Sequence, residues 1–197
     1  MTIAFFDLDG TLTTKDTMFQ FIRFSKGKLI FYTGLLLLLP VLIAYRIGLL
    51  ANWRAKEILF SFYFKGMSVE RAQLLGQAFA TEVIPQLLHP RALREIEFHQ
   101  KAGAEIVVVT ASFAFWVKPW CDLHHFDLIA TEYDSSDELL SGLIKGKNCH
   151  GAEKVRRINE KFDLLQFDKI YAYGDSTSDI KMLNLAHFKY LKWEPIN

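Results

Sequence analysis

The chain has 197 residues and a formal net charge of +1, from 23 Lys and Arg against 22 Asp and Glu. This length is enough to bury one good core, and the nearly balanced charge argues against nucleic acid as the main partner. Because the two cysteines, Cys121 and Cys149, are far apart, we expect no disulfide framework and a cytoplasmic setting. We also expect no signal peptide before the first strand.

A short apolar strand is predicted over Ile3 to Phe6, and it ends in the sequence DLDGT at residues 7–11. Side chains alternate along a strand, so Asp7 and Asp9 point to the same side. Two carboxylates at the end of a buried strand are costly unless a cation lies between them. Gly10 lets the chain turn sharply and brings backbone amides near a ligand. The pattern favours a site for a divalent cation and an anionic substrate, although Asp-Gly is also an ordinary turn signal.

Mostly helical structure is predicted from Thr14 to about Pro85. The first helix covers Thr17 to Lys26, and Asp16 precedes it in the position of an N-cap or first-turn acid. Further helices are predicted over Trp53 to Phe64 and over Arg71 to Thr81.

A strongly apolar segment, Leu29 to Leu50, lies inside this helical region and carries no charge as far as Tyr45. A membrane-spanning helix needs about 20 apolar residues, but here Pro40 interrupts the run and Arg46 lies near its end. Two interpretations remain. The run forms two helices that meet near Pro40 and pack within a helical domain, or it lies in or across a membrane surface with its basic flanks near anionic lipid.

The second half of the chain alternates strands with helices. A Val-rich strand over Glu105 to Val109 suits a parallel sheet that is covered on both faces, and it ends in Thr110, Ala111 and Ser112. Ser112 is also in a position to cap a helix over Phe113 to His124, whose first amides would face an anion.

Two short strands, Leu128 to Tyr133 and Leu139 to Ile144, are predicted to form a peripheral hairpin. A helix then runs from Ala152 or Glu153 to Phe162, with Lys154 in its first turn. A lysine at that end of a helix is unfavourable with respect to the helix dipole, so it requires a compensating anion.

A further strand over Lys169 to Tyr173 is followed by Gly174 and Asp175, and Asp179 comes four positions later at the start of the next helix. A last strand is predicted around Phe188 to Leu191. Because strands and helices alternate, we expect a doubly wound parallel sheet that binds ligands at the carboxyl ends of its strands.

These motifs resemble, in order, the four signatures of the haloacid dehalogenase-like (HAD) phosphohydrolase superfamily. The third signature is a lysine, and Lys145 and Lys147 are nearby alternatives to Lys154 for it. The residues that match the family pattern are Asp7 and Asp9, then Thr110, then Lys154, then Asp175 and Asp179.

The resemblance implies an α/β fold with a doubly wound parallel sheet and an inserted all-helical C1 cap. The expected core comprises residues 1–13 and 86–197, and the expected cap comprises residues 14–85. An all-helical insert in this position is similar to the phosphoserine phosphatase-like branch, subfamily IB. A cap of this kind encloses small substrates under a lid and keeps water from the reaction.

The resemblance also implies the chemistry. Asp7 is the expected nucleophile that forms an aspartyl-phosphate, Asp9 is the expected general acid and base, and Lys154 faces the nucleophile and the phosphate. Mg²⁺ is the expected cofactor. Its expected ligands are Asp7, the backbone carbonyl of Asp9, Asp175 and, close by, Asp179. The residues expected to contact the substrate are Thr110, Ala111, Ser112 and Asp16.

The expected function is Mg²⁺-dependent hydrolysis of a phosphomonoester that is either a phosphorylated small molecule or a phospholipid headgroup. One alternative is a phosphatidylglycerophosphate phosphatase at the membrane surface, with the apolar segment as its membrane contact on the inner face. A second alternative is a non-catalytic binding protein on the same scaffold, and a third is phosphoryl transfer to an acceptor other than water. Fold alone does not choose the substrate.

Overall fold

A seven-stranded sheet forms the centre of the computed structural model, which describes all 197 residues. The strands lie in the order β4-β3-β2-β1-β5-β6-β7. Their bounds are β1 Thr2–Phe6, β2 Glu105–Phe113, β3 Asp127–Ser136, β4 Leu139–Lys145, β5 Lys169–Gly174, β6 Phe188–Leu191 and β7 Glu194–Ile196.

The five central strands run parallel. β1 pairs with β2 on one side and with β5 on the other, β2 pairs with β3, and β5 pairs with β6. The two edge strands, β4 and β7, are antiparallel to their neighbours. The predicted α/β fold with a doubly wound parallel sheet is therefore confirmed, and the carboxyl ends of β1, β2 and β5 meet at one edge of the sheet.

Nine α-helices accompany the sheet. We use the name helical insert for α1 to α5, which lie between β1 and the rest of the sheet and include no strand. The helices are α1 Thr17–Leu37, α2 Leu39–Arg46, α3 Asn52–Phe64, α4 Val69–Glu82, α5 Ile84–Leu87, α6 Pro90–Lys101, α7 Ala114–His124, α8 Ala152–Lys161 and α9 Ile180–Leu183.

The two chain crossings that join the helical insert to the sheet are paired with each other. Thr14 N donates to Leu87 O at 2.8 Å, and His89 N donates to Leu12 O at 2.8 Å. The insert also contacts the β3–β4 hairpin, since Gly66 N donates to Leu140 O at 2.9 Å. The predicted hairpin is confirmed at the edge of the sheet. The turn between α3 and α4 covers its outer strand, an arrangement that protects an otherwise open sheet edge.

Three elements differ from the sequence prediction. β2 continues to Phe113, so Ser112 lies in a strand and does not cap α7, which begins at Ala114 without a side-chain cap. β7 follows β6 where a tail was expected. α9 covers only Ile180–Leu183, and the residues before it, Thr177–Asp179, form a 3₁₀ helix.

The apolar segment Leu29 to Leu50 folds as two helices that meet next to Pro40, as one of the two interpretations expected. Gly27, with φ +80°, interrupts the regular helix at the start of this segment, and the axes of α1 and α2 differ by 60°. Only Phe31, Gly34 and Leu38 are buried in it, so its expected burial inside the insert is wrong for most of its side chains. No single helix is long and apolar enough to span a bilayer, whereas the bent pair α1–α2 reaches the required length and apolarity.

A buried histidine lies in the core on one face of the sheet. His99, on α6, donates through Nε2 to the Tyr173 hydroxyl at 2.9 Å, and that hydroxyl donates to Glu95 Oε2 at 3.1 Å. His99 Nδ1 has no hydrogen-bond partner. Burial lowers the pKa of His99 to about 4, because a charged imidazolium in this apolar setting is poorly solvated.

This histidine makes the stability of the protein depend on pH. The pKa of His99 is lower in the folded state than in the unfolded state, so the unfolded chain binds more protons between about pH 6.5 and pH 4. The free energy of unfolding should therefore fall with decreasing pH in that range, by up to about 1.4 kcal/mol per pH unit from this group. The free energy of unfolding, measured by urea denaturation at several pH values, should fall with a smaller slope against pH for His99→Gln than for the unaltered protein. Equal slopes would contradict the assignment.

Candidate active site

A lysine between two buried carboxylates lies at the carboxyl edge of the sheet. Lys154 Nζ donates to Asp7 Oδ1 at 2.5 Å and to Asp179 Oδ1 at 2.8 Å. Lys154 and Asp179 are each 1% exposed, and Asp7 is 7% exposed. Lys145 and Lys147, the two competing lysines, are exposed to solvent. Asp7 and Asp179 therefore supply the negative charge that a lysine in the first turn of α8 requires.

The charges of this group depend on one another. Burial raises the pKa of Asp7 to about 7 although Lys154 opposes the shift. Burial alone would lower the pKa of Lys154, but the two aspartates outweigh it and raise that pKa. The pKa of Asp179 is lowered, because Lys154 and the Ser176 donors overcome its burial. Ser176 supplies those donors through its backbone N–H at 3.2 Å and its hydroxyl at 2.8 Å.

Close backbone packing brings β1 and β5 together at this edge. Asp7 N donates to Tyr173 O at 3.0 Å, which continues the pairing of the two strands beyond β1. Gly10 follows with φ +88°, and a Cβ at that residue would lie 2.3 Å from Asp175 Oδ2. Only glycine fits both the backbone angle and this contact. The turn after β1 is thereby held directly against the carboxylate that follows β5.

Three carboxylates at this edge form a potential cation site. Asp7, Asp175 and Asp179 each offer an oxygen, and the three oxygens lie within 4.8 Å of one another. Burial and the neighbouring Asp179 raise the pKa of Asp175. An all-oxygen donor set with a net negative charge suits Mg²⁺ better than a softer metal. The Asp9 side chain does not belong to this group.

The Asp9 carboxylate is held by the helical insert and by β2. Oδ1 accepts from Thr17 N at 2.6 Å, and Oδ2 accepts from the Ser112 hydroxyl at 2.6 Å. The hydroxyls of Thr17 and Ser112 lie 2.8 Å apart. Two separate parts of the chain, α1 and β2, thus fix the orientation of this one carboxylate.

The end of β2 supplies the other candidate residues. Thr110 is fully buried, and its hydroxyl accepts from Ser112 N at 2.9 Å. Ala111 and Ser112 line a pocket of about 170 Å³, whereas Thr110 does not. The same pocket is lined by the other residues singled out from the sequence, namely Asp7, Asp9, Asp16, Lys154, Asp175 and Asp179.

Asp16 is both a helix cap and a residue of the active-site pocket. Its Oδ1 accepts from Phe19 N at 3.1 Å and so caps α1, while the residue also lines the pocket. The N-cap that the sequence suggested is therefore confirmed.

Lys56 in α3 also lines the pocket, and it was not predicted from the sequence as a site residue. Its Nζ donates to Ala111 O and to Asn148 Oδ1, the latter at 3.1 Å. Burial lowers the pKa of Lys56 to about 8 although Asp9 and Asp16 oppose the shift. The available signal was helical spacing, because Lys56 lies one turn from Asn52 and one turn from the buried Phe60.

The ion pairs of Lys154 should contribute strongly to stability in the metal-free protein. Lys154→Met leaves Asp7 and Asp179 buried without a counter-charge, and breaking a buried pair in this way costs about 3–5 kcal/mol. Urea denaturation at neutral pH in the presence of a chelator measures the loss. The control is Lys101→Met, which removes an exposed ion pair with Glu97 and should cost less than about 1 kcal/mol. Equal losses in the two variants would contradict the buried ion-pair network.

Known proteins are similar to this chain in sequence and in fold. The protein CicA from Caulobacter vibrioides is 36% identical over 93% of this chain and 82% of its own length. A structure of a protein of unknown function from Bordetella pertussis Tohama I has a TM-score of 0.81 at 25% identity, covering 94% of this chain and 86% of its own. A structure of a phospho-aspartyl intermediate analogue of phosphoserine phosphatase has a TM-score of 0.68 at 18% identity, covering 96% of this chain and 85% of its own.

The sequence model of one family matches residues 4–184, which include every candidate residue named above. The fold is that of the phosphoserine phosphatase structure. The chain belongs to the haloacid dehalogenase-like hydrolases.

Proposed function

We propose that this protein is a Mg²⁺-dependent phosphomonoester hydrolase that acts through an aspartyl-phosphate on Asp7. The observation that carries the proposal is the group formed by Lys154, Asp7, Asp175 and Asp179 at the carboxyl edge of the sheet. It combines a nucleophile, a cation for the phosphate and an oxygen-rich cation site within one pocket. Membership of a hydrolase family supports hydrolysis over simple binding.

The proposed ligands of Mg²⁺ are the carboxylates of Asp7 and Asp175 and the backbone carbonyl of Asp9, with Asp179 beside them. Three carboxylate oxygens within 4.8 Å of one another support this assignment. When bound, Mg²⁺ reduces the repulsion between the carboxylate nucleophile and the phosphate, and stabilises the negative charge of the transferring group.

In the proposed first step, an Asp7 carboxylate oxygen attacks phosphorus, and the bond between phosphorus and the leaving oxygen breaks. Asp9 gives a proton to that oxygen, so the alcohol leaves neutral. Asp9 suits this role because the Thr17 amide and the Ser112 hydroxyl fix its orientation, each at 2.6 Å.

In the proposed second step, Asp9 takes a proton from a water molecule, and the water oxygen attacks phosphorus. The bond between phosphorus and the Asp7 oxygen then breaks, so inorganic phosphate is released and the free Asp7 carboxylate is regenerated. Lys154 remains beside Asp7 in both steps and neutralises phosphate oxygens. In this proposal Ala111 and Ser112 contact the phosphate, and Thr110 supports them through its hydrogen bond to Ser112 N.

We further propose that residues 14–85 act as a cap over this core, the division expected from the sequence. Asp16 and Lys56, both from the helical insert, line the pocket beside the core aspartates. A pocket that both parts line is suited to exclude water from the phosphoryl group. The proposed substrate is a phosphate ester whose leaving group contacts the insert.

Replacing the nucleophile tests the mechanism. Asp7→Asn removes the attacking carboxylate, and Asp9→Asn removes the proton donor, so Mg²⁺-dependent phosphate release should fall at least about 100-fold in each variant. Suitable substrates are a general phosphate ester, phosphoserine, glycerol phosphate and detergent-dispersed phosphatidylglycerophosphate.

The matched control is Asp137→Asn, at the exposed tip of the β3–β4 hairpin, which should leave turnover unchanged. Retained turnover in Asp7→Asn would rule out Asp7 as the nucleophile. Turnover that is unaffected when Mg²⁺ is chelated would rule out the metal dependence.

Lys56 should bind the anionic substrate in its charged form. Its pKa is about 8, and the groups that face it are Asp9, Asp16, Cys149 and Lys154. KM should therefore rise above about pH 8 as Lys56 loses its proton, with a smaller effect on kcat. Lys56→Arg keeps the charge and should abolish that rise, because arginine stays protonated. A rise of the same size in the arginine variant would show that another group is responsible.

A further inference from the structure

The second half of α1, the whole of α2 and the loop that follows α2 present apolar side chains to solvent. We define the apolar surface of the insert by six of them: Leu29, Leu36, Leu37, Ile43, Ile47 and Leu49, which are between 50% and 79% exposed. The opposite side of α1 is also apolar, since Phe31, Gly34 and Leu38 are buried against the insert. A helix that is apolar on every side is normally covered on every side, and soluble monomers rarely expose large contiguous apolar patches.

The charged side chains within this part of the chain are all of one sign. From Thr17 to Lys56 the chain contains six Lys and Arg residues and no Asp or Glu. Lys28, Arg46 and Arg54 are exposed beside the apolar side chains. Two copies of such a surface would bring like charges together, whereas an anionic bilayer complements both the cations and the apolar side chains.

The apolar surface borders the entrance to the candidate active site. Ile47 and Leu49 lie in the loop that precedes α3, and Asn52, the first residue of α3, lines the pocket of the aspartates. Asn52 Nδ2 donates to the Tyr45 hydroxyl at 3.1 Å, so the end of α2 is joined to this entrance.

A groove of about 440 Å³ continues from the active-site pocket past this same point, and the two share Asn52 and His150. Trp53 lines the groove and is 43% exposed. Exposed tryptophan is a side chain that suits the boundary between water and lipid headgroups.

We propose that the apolar surface of the insert docks on an anionic lipid bilayer and holds the entrance of the active-site groove at the membrane interface. The helices lie in the interface with the apolar side chains among the acyl chains, while Lys28, Arg46 and Arg54 contact the headgroup phosphates. The docking itself is independent of catalysis. Its consequence, access to phosphate esters at the membrane, rests on the proposed function.

The test is co-sedimentation of the full chain with vesicles. Vesicles of phosphatidylcholine with phosphatidylglycerol should bind the protein at least about tenfold more tightly than vesicles of phosphatidylcholine alone, and added salt should weaken the binding. Leu37→Glu combined with Leu49→Glu should reduce binding at least about tenfold, because two charges would enter the acyl region.

The control variant is Leu165→Glu, which alters a leucine that is 96% exposed outside the insert and should bind vesicles as the unaltered protein does. Absence of binding to the anionic vesicles, or unchanged binding by the double variant, would overturn the proposal. It would also be overturned if the double variant converted a dimer into a monomer and neither protein bound vesicles, since the surface would then be an interface between copies.

Turnover of a water-soluble phosphate ester separates this proposal from the proposed function. The double variant should keep that turnover, because neither leucine lines the pocket. Vesicle binding without any turnover would leave the docking intact and refute the phosphatase proposal. Turnover without vesicle binding would refute the docking alone.

Discussion

The contact of Lys154 with Asp7 and Asp179 is the constraint on which the rest of the site depends. Two buried carboxylates would repel each other and resist ionisation, and the lysine between them opposes that rise in the pKa of each. This arrangement requires the ends of β1 and β5 and the first turn of α8 to meet within a few ångströms. The parallel sheet brings the strand ends together. Because Gly10 has no side chain, the turn after β1 can lie directly against Asp175.

The helical insert extends this constraint from the core to the substrate. Thr17 of α1 donates to Asp9, and Lys56 of α3 donates to Ala111 at the end of β2. The insert is fixed at its two chain crossings and at the β3–β4 hairpin. Changes in the insert are therefore transmitted directly to the proposed proton donor, and its outer surface is available for contacts outside the protein.

The sequence predicted most of the fold and of the candidate site because their signals are local. Asp7, Asp9, Asp175 and Asp179 each follow an apolar strand, and their order matches the family signatures. Lys56 escaped prediction because its role comes from contacts with Asn148 and Ala111, which are far from it in sequence. Ser112 was interpreted as a helix cap because serine serves in both settings, and the side chain of Asp9 decides between them. The exposure of the apolar segment depends on how α1 and α2 pack, which composition does not encode.

Phosphoryl trapping is the decisive experiment for a covalent intermediate on Asp7. A substrate labelled in its phosphoryl group is mixed with the Asp9→Asn variant in the presence of Mg²⁺, the reaction is quenched in acid, and the labelled peptide is identified by mass spectrometry. The substrate carries a weakly basic phenolate leaving group, which departs without a proton, so the first step proceeds in this variant. The variant lacks the base for the second step, so label should accumulate on Asp7. Label on another residue would contradict the account. So would the entry of ¹⁸O from labelled water into the Asp7 carboxylate over repeated cycles of turnover, because the proposed attack of water on phosphorus leaves that oxygen in inorganic phosphate.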